Sequence, residues 1–239
     1  MTSRHLIVAL GAVISGATAA AAQDVEPVKP VRAYVGGALI VASPVGEFDD
    51  YVGTGWGLDG HFALKLGRSG IVSLRGDGGF IVYGHEEKRV CLSSTVGCRI
   101  MVDLTTSNDI AFFNIGPQLA VAGGPVQPYI TASLGVSYFA TVSSIRGSND
   151  SDESNFSTTN FDDVTFGWQA GTGLRVPLGI GNTPIFIDIG ARYNINGRVE
   201  YLTEGGIIDN PDGSITLNPI TSDADLVTFV IGASFGVRW

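Results

Sequence analysis

Ten charged side chains recur at alternate positions within segments that have the pattern of β-strands. Each lies opposite the large apolar residues of its own segment, because successive side chains of a strand point to opposite faces. Carboxylates, guanidinium groups and one imidazole on one face could line an ion pore or proton pathway, or could pair with one another. The set consists of Asp59, His61, Lys65, Arg75, Asp77, Arg175, Asp188, Arg192, Arg198 and Glu200.

Nucleophilic catalysis has little support in these residues. It needs a base within hydrogen-bond reach of a hydroxyl group. Beyond the first few residues, the only histidines are His61, in the middle of a strand, and His85, which two glutamates follow. Neither forms a His-x-Ser pattern on a strand. We therefore predict no catalytic residue, no cofactor and no enzyme, and a barrel enzyme that modifies lipid A is the remotest alternative.

A metal site is also not expected. The segment 149–155, Asn-Asp-Ser-Asp-Glu-Ser-Asn, is rich in oxygen ligands for a hard cation such as calcium. It lacks the turn glycine and the terminal glutamate of an EF-hand loop. The favoured interpretation is a solvated acidic loop.

Eight segments carry the period-two alternation of a half-buried strand. Between them the connections alternate in length: short, Gly- and Pro-rich turns follow every second segment, and long polar loops are predicted at 43–53, 84–108, 144–163 and 202–223. An even strand number with this alternation is typical of a transmembrane barrel. The predicted strands are 32–42, 54–66, 71–83, 110–121, 129–143, 164–178, 185–201 and 226–239.

A soluble β-sandwich or a lipocalin-like barrel would show the same alternation with the apolar face turned inward. The charges favour the opposite orientation, because groups of both signs on one face can pair inside a narrow barrel. We therefore predict an all-β, eight-stranded antiparallel transmembrane barrel with its apolar face outward. Aromatic girdles are expected at the strand ends, from Trp56, Tyr83, Tyr138, Phe166, Trp168, Tyr193, Tyr201 and Trp239.

The two ends of the chain favour export to an outer membrane. Residues 1–22 have a charged start, a short apolar run and an Ala-x-Ala site, as a secretory signal peptide does. Residues 23–31 would form a short periplasmic segment, and 32–239 the barrel. The terminal strand carries Gly232, Phe235, Val237 and Trp239, which resembles the C-terminal signal read by the barrel-assembly machinery.

Composition limits the partners and the redox state. The formal net charge of −9 argues against nucleic acid as a partner. Cys91 and Cys98, the only cysteines, predict a small loop-closing disulfide in an oxidising compartment. A metal pair is the minority interpretation of these two residues.

The chain resembles the small outer-membrane β-barrel family, which includes the OmpA-like transmembrane domain and the opacity-type porin family proteins. The resemblance rests on residues 128–138, on residues 166–175 and on the terminal strand, and it covers essentially the whole mature chain. It implies a non-catalytic protein of the Gram-negative cell outer membrane with a structural and surface-interaction role. A small ion or solute pore is the alternative. Expected partners are outer-membrane lipid and lipopolysaccharide, the assembly machinery and a surface partner bound through the loops. We expect a monomer.

Overall fold

The structure is a computed structural model that describes residues 30–91, 101–146, 156–179, 184–210 and 214–239. The signal peptide, most of the periplasmic segment and the Cys91–Cys98 disulfide lie outside the described residues and stay predictions. No helix in these ranges is long and apolar enough to cross a membrane. The strands are β1 Val31–Pro44, β2 Gly55–Leu66, β3 Val72–Cys91, β4 Met101–Ala120, β5 Gln127–Arg146, β6 Phe156–Gly179, β7 Ile185–Asn196, β8 Arg198–Tyr201, β9 Ile207–Asp209, β10 Ile215–Leu217, β11 Ile220–Asp223 and β12 Leu226–Arg238.

Eight of these strands form one closed antiparallel barrel in the order β1-β12-β7-β6-β5-β4-β3-β2. The terminal strand closes the ring against the first, with Val35 opposite Phe235 and Leu39 opposite Ile231. The predicted eight-stranded antiparallel barrel is confirmed.

The barrel presents its apolar residues outward. Phe166 is 78% exposed, Leu134 70% and Trp56 65%, and similar exposed aliphatic and aromatic residues lie on every barrel strand. The residues that alternate with them point inward and are mostly polar and buried. We call this outward surface the apolar belt. Its exposed area is far larger than single scattered apolar side chains would give.

The barrel has two unlike ends. The short-turn end carries the connections β2–β3, β4–β5 and β6–β7 together with both termini of the barrel, and the long-loop end carries the rest. At the long-loop end the predicted loops 84–108 and 144–163 are wrong in extent. Strands β3 and β4 pair as far as Cys91 and Met101, and β5 and β6 pair as far as Ile145 and Phe156. Thr, Phe and Val residues in 101–108 and 156–161 favour strand over loop, and the charged segment 84–91 pairs with the first of these.

The four strands together form what we call the protruding sheet, made of residues 84–91, 101–108, 142–146 and 156–161. Two further pairs lie beside it. Strand β8 pairs with β11, and β9 pairs with β10. A single turn of 3-10 helix, Gly46–Asp50, follows β1 and is the only helix in the described part of the chain.

The predicted strand 185–201 is interrupted at Gly197. Gly197 separates β7 from β8, and its N–H donates to the carbonyl oxygen of Phe166 at 3.1 Å. Because side chains alternate with a period of two, one residue outside the hydrogen-bonded ladder moves every following side chain to the opposite face. Val199 and Tyr201 are therefore buried, and Arg198 and Glu200 are exposed. The prediction that Arg198 and Glu200 point into the lumen is wrong for this reason.

Candidate functional site

Seven of the ten predicted lumen charges lie inside the barrel, each at most 6% exposed. They come from four strands, and each occupies an inward-pointing position of its strand, so that the side chains meet inside the lumen. We call them the charge network: Asp59 and His61 on β2, Arg75 and Asp77 on β3, Arg175 on β6, and Asp188 and Arg192 on β7.

Arg192 connects opposite walls of the barrel. Its Nη1 donates to Oδ2 of Asp59 at 2.6 Å, and its Nη2 donates to Oδ1 of Asp77 at 3.0 Å. Charge-assisted hydrogen bonds of this kind are among the strong ones in proteins. One guanidinium group thus holds β7 to both β2 and β3 across the lumen.

The other two arginines each have a carboxylate partner. Arg75 Nη2 lies 2.8 Å from Oδ1 of Asp77, and its Nη1 donates to Oε1 of Gln118 at 3.0 Å. Arg175 Nη2 lies 3.3 Å from Oδ2 of Asp188. The hydroxyl of Tyr129 donates to the other oxygen of Asp188 at 2.5 Å. Buried charges are thereby paired, as their desolvation requires.

His61 lies between two carboxylates. Its Nδ1 is 3.4 Å from Oδ1 of Asp59, and its Nε2 is 3.9 Å from Oδ2 of Asp188. Ligand atoms of Asp59, His61 and Asp77 all lie within 4.8 Å of one another, which is close enough to hold a metal ion. Arg192 already supplies the cation that bridges these carboxylates. A divalent ion would add two uncompensated charges to a buried set in which three arginines balance three aspartates.

Lys65 lies apart from the network, at the short-turn end, where it is only partly buried. Its Nζ sits 5.1 Å from the centre of the Tyr34 ring, and the guanidinium carbon of Arg175 sits 3.9 Å from the same ring. The Tyr34 ring in turn meets Phe186 edge-on at 5.2 Å. We call Tyr34 and Phe186 the lower cap, because they cover the charge network at this end.

Four aromatic rings close the lumen at the long-loop end. Phe48, from the 3-10 helix, is 0% exposed and packs 5.1 Å from Tyr201, 5.8 Å from Tyr83 and 6.1 Å from Phe139. We call these four rings the aromatic plug. Tyr83 and Tyr201 belong to the plug and not to an interfacial girdle, which corrects the prediction for both.

Two titratable groups at the long-loop end, Asp225 and Tyr201, have raised pKa values. Burial, together with the negative charge of Asp223, raises the pKa of Asp225, although the backbone N–H of Asn196 donates to it. Burial likewise raises the pKa of Tyr201, whose hydroxyl lies 2.8 Å from that of Ser222. Both groups therefore favour their neutral form more than they would in water.

Sequence reasoning missed the aromatic members of the site. Tyr129 falls on the inward-pointing positions of β5, and Tyr34 falls on those of β1. The period-two pattern could therefore have predicted that both rings point into the lumen. The space for Tyr129 comes from Gly173, where an added Cβ would lie 2.3 Å from the Tyr129 hydroxyl oxygen. Phe48 has no comparable signal, because it lies in a connection and not in a strand.

The four residues of the predicted assembly signal all lie on β12 or directly after it. Phe235, Val237 and Trp239 point outward and are exposed. Gly232 faces β1 so closely that a Cβ there would lie 2.1 Å from the carbonyl oxygen of Gly37. Reading of this signal by the assembly machinery stays a prediction.

No protein-family model matches the chain, and no curated protein matches it in sequence. Among solved structures it is similar to Ail, the attachment invasion locus protein of Yersinia pestis, in complex with the heparin analogue sucrose octasulfate. That pair shares 12% identity over 87% of this chain and 97% of the other, with a TM-score of 0.42. With Neisserial surface protein A the chain shares 15% identity over 87% of this chain and 97% of the other, with a TM-score of 0.35. With a major outer membrane protein from Thermus thermophilus it shares 12% identity over 84% of this chain and 99% of the other, with a TM-score of 0.40.

Proposed function

We propose that this protein is a non-catalytic barrel of the outer membrane with a sealed lumen, and that it acts in the cell envelope through surfaces at its long-loop end. The observation that supports this proposal most directly is that side chains fill the lumen. The charge network occupies its middle, the lower cap covers one side and the aromatic plug covers the other. An eight-stranded barrel is just wide enough for such a packed interior.

The apolar belt supports the membrane location. Exposed Leu, Ile, Val, Phe and Trp residues on all eight barrel strands would be a severe aggregation hazard in water. In lipid the same residues are well solvated, and the closed ring leaves no backbone edge unpaired within the hydrocarbon region. The long-loop end would then face the cell exterior and the short-turn end the periplasm, as in other barrels of this type.

A small pore is the alternative function, and the same contacts weigh against it. An ion would have to pass the rings of the aromatic plug and then displace Arg192 from Asp59 and Asp77. Breaking a buried pair by removing one partner costs about 3–5 kcal/mol. Thermal opening of both obstacles together would be rare.

Single-channel recording in a planar bilayer tests the proposal. The preparation should contain only refolded protein that shows a heat-dependent gel shift, and a known open porin serves as the positive control. We expect no steady openings from the wild-type chain. Removing one obstacle alone, by Phe48→Ala, should also leave the bilayer silent, because the charge network still fills the lumen below. Steady wild-type openings that change when Arg192 is neutralised would establish the pore instead.

A further inference from the structure

Charged side chains divide unevenly between the two ends of the barrel. In the described chain the short-turn end consists of residues 30–34, 64–72, 118–129, 173–179, 184–186 and 234–239, which include no Asp or Glu. Its cations, apart from the buried Arg175, are Arg32, Lys65, Arg68 and Arg238. The exposed carboxylate side chains of the described residues all lie at the long-loop end: Glu47, Asp49, Asp50, Glu87, Asp162, Glu200, Glu204 and Asp223. The short-turn end is therefore positive on a chain whose net charge is −9.

Three of these cations have no acidic partner in the described chain. Arg32, Lys65 and Arg68 come from the paired strands β1 and β2 and from the turn that follows β2. No described carboxylate side chain lies within ion-pair distance of them. By contrast, each lumen arginine has a carboxylate within 3.3 Å. We call the three residues the basic rim. A cluster of this kind attracts anions from outside the protein.

The basic rim lies directly beyond the apolar belt. Arg68 occupies the β2–β3 turn between two exposed belt residues, Leu66 and Ile71. Lys65 bends toward the same turn, because a Cβ added at Gly70 would lie 3.6 Å from its Nζ. The lipid headgroups begin where the hydrocarbon core ends. With the belt in hydrocarbon, the basic rim therefore lies at the level of the headgroup phosphates.

A groove of about 700 Å³ in the apolar belt reaches the same turn. It extends from Ser69 and Ile71 across the ends of β4 and β5 to Thr172 on β6. Leu119 and Ile130, both exposed, line it with apolar surface. Its volume falls within the range of ligand pockets. An acyl chain that lies in this groove would bring its headgroup beside the basic rim.

Backbone hydrogen bonds fix the end of this groove. The N–H of Ala120 donates to the carbonyl oxygen of Ile71 at 2.8 Å, and the N–H of Val121 donates to that of Pro128 at 2.9 Å. Ser69 is exposed beside them, and its hydroxyl group can donate to a phosphate oxygen. A groove that is already formed costs little ordering when a ligand binds.

A second groove in the apolar belt has no charged lining residue. Its volume is about 460 Å³, and Ile115, Pro117, Ala132, Leu134 and Trp168 line it within strands β4, β5 and β6. Both grooves could hold an acyl chain. Only the groove at the short-turn end adjoins cations that could also select a headgroup.

We propose that the groove at the short-turn end and the basic rim together bind one anionic phospholipid of the periplasmic leaflet. An acyl chain lies in the groove, Arg68 donates to the headgroup phosphate, and Lys65 and Arg32 add positive charge beside it. Arginine suits this role because its planar guanidinium group can donate two parallel hydrogen bonds to a phosphate. The inference goes beyond the envelope role proposed above and rests on the membrane location, with the short-turn end facing the periplasm.

The test is native mass spectrometry of the full chain refolded in a non-ionic detergent. The probes are a phosphatidylglycerol and a phosphatidylcholine with the same acyl chains, added in equal amounts. We expect one phosphatidylglycerol per chain, retained at least roughly fivefold over phosphatidylcholine, because each cation near the headgroups contributes about that factor. Equal retention of the two lipids overturns the proposal.

Charge variants locate the headgroup. Arg68→Gln should weaken phosphatidylglycerol binding roughly fivefold and change phosphatidylcholine binding little. Arg68 is exposed in a turn, so this variant should keep the heat-dependent gel shift. Arg198→Gln is the matched control, because Arg198 is an exposed cation at the long-loop end. Equal losses from the two variants would mean that only overall charge matters, against the proposal.

Groove variants locate the acyl chain. Ala122 is exposed and lines the groove at the short-turn end, so Ala122→Phe should fill it and weaken the binding of both lipids. Ala132→Phe makes the same change in the second groove and should leave phosphatidylglycerol binding unchanged. The opposite result would place the lipid in the second groove and overturn the proposal.

Two competitors for the basic rim are tested in the same way. Glycerol 1-phosphate at the concentration of the lipid should not displace it, and displacement would make the rim a site for small anions with no role for the groove. The segment 23–29 carries Asp24 and Glu26. Lipid binding that appears only in a chain that begins at Pro30 would assign the rim to this segment, against the proposal.

Lipid binding and conductance fail independently. Channel activity together with selective retention of phosphatidylglycerol would overturn the sealed lumen and leave the lipid site as proposed. A silent bilayer together with equal retention of both lipids would overturn the lipid site and leave the sealed lumen.

Discussion

Replacing Arg192 with methionine should destabilise the barrel strongly, because this side chain bonds to two buried carboxylates. Methionine keeps much of the side-chain volume and removes the guanidinium group. Asp59 then loses its 2.6 Å partner, and Asp77 loses one of its two arginines. Breaking a buried ion pair by removing one partner costs about 3–5 kcal/mol, because the remaining charge stays desolvated. We expect a loss of that size in the free energy of unfolding.

The assay is urea unfolding of the barrel in phospholipid vesicles, followed by tryptophan fluorescence and by the gel shift. A double-mutant cycle with Asp59→Asn isolates the pair. The double variant should be more stable than the sum of the single losses predicts by about 1.5–3 kcal/mol, the value of a hydrogen bond to a charged group. Arg198→Met serves as the matched control, because Arg198 is exposed and outside the network, and its replacement should change little.

A loss below about 1 kcal/mol for Arg192→Met would refute this reasoning. Exposed ion pairs have values of that size, so the result would mean that water reaches Arg192 and that the lumen is wet. An additive double-mutant cycle would carry the same meaning for the contact with Asp59.

Three further predictions test other parts of the molecule. Leu134→Lys, in the apolar belt, should cost about 2–4 kcal/mol in a bilayer, whereas Ser157→Lys in the protruding sheet should not; equal effects would exclude a lipid-facing belt. Asp223→Asn should lower the pKa of Asp225 while leaving it above the ordinary value, because burial, its main cause, persists; carboxyl NMR titration measures this, and an unchanged pKa would exclude the contribution of Asp223. Deleting Trp239 should slow assembly in cells but not refolding in detergent, and equal effects on both would contradict a role in recognition.

The barrel strands could be predicted because their alternation has a physical cause. A barrel strand between lipid, as proposed, and a packed lumen must carry apolar side chains on one face and side chains that can pair on the other. The inward placement of residues such as Asp77 and Asp188 can therefore be predicted from the strand pattern. The pairing itself was not legible. Arg192 meets Asp59 from 133 positions away, and that contact depends on barrel closure and register, which alternation does not specify.

The period-two pattern also failed to predict two other features, the change of face at Gly197 and the extension of four strands into the protruding sheet. The phase change at Gly197 needs only one residue outside the ladder, and glycine occurs in too many strands here to mark that residue. The extension of β3 to β6 into the protruding sheet was hidden because both faces of these segments carry polar residues, so the period-two alternation is lost. Segments such as Thr105–Asn108 then look like loop, although Thr favours strands.

The charge network also divides unevenly along the chain, and this bears on the order of folding. The first four strands bring two of its carboxylates and one arginine, and the strands after them bring two arginines and one carboxylate. Neither half is neutral in its buried ionic groups, apart from the imidazole of His61. Strand β6 adds Arg175 and balances the number of charges, but Arg175 and Asp59 still lack their partners, Asp188 and Arg192, which both lie on β7. A chain that ends before β7 would carry these unpaired charges into the membrane, so insertion and ring closure should occur as one cooperative event, and fragments that end before β7 should not insert.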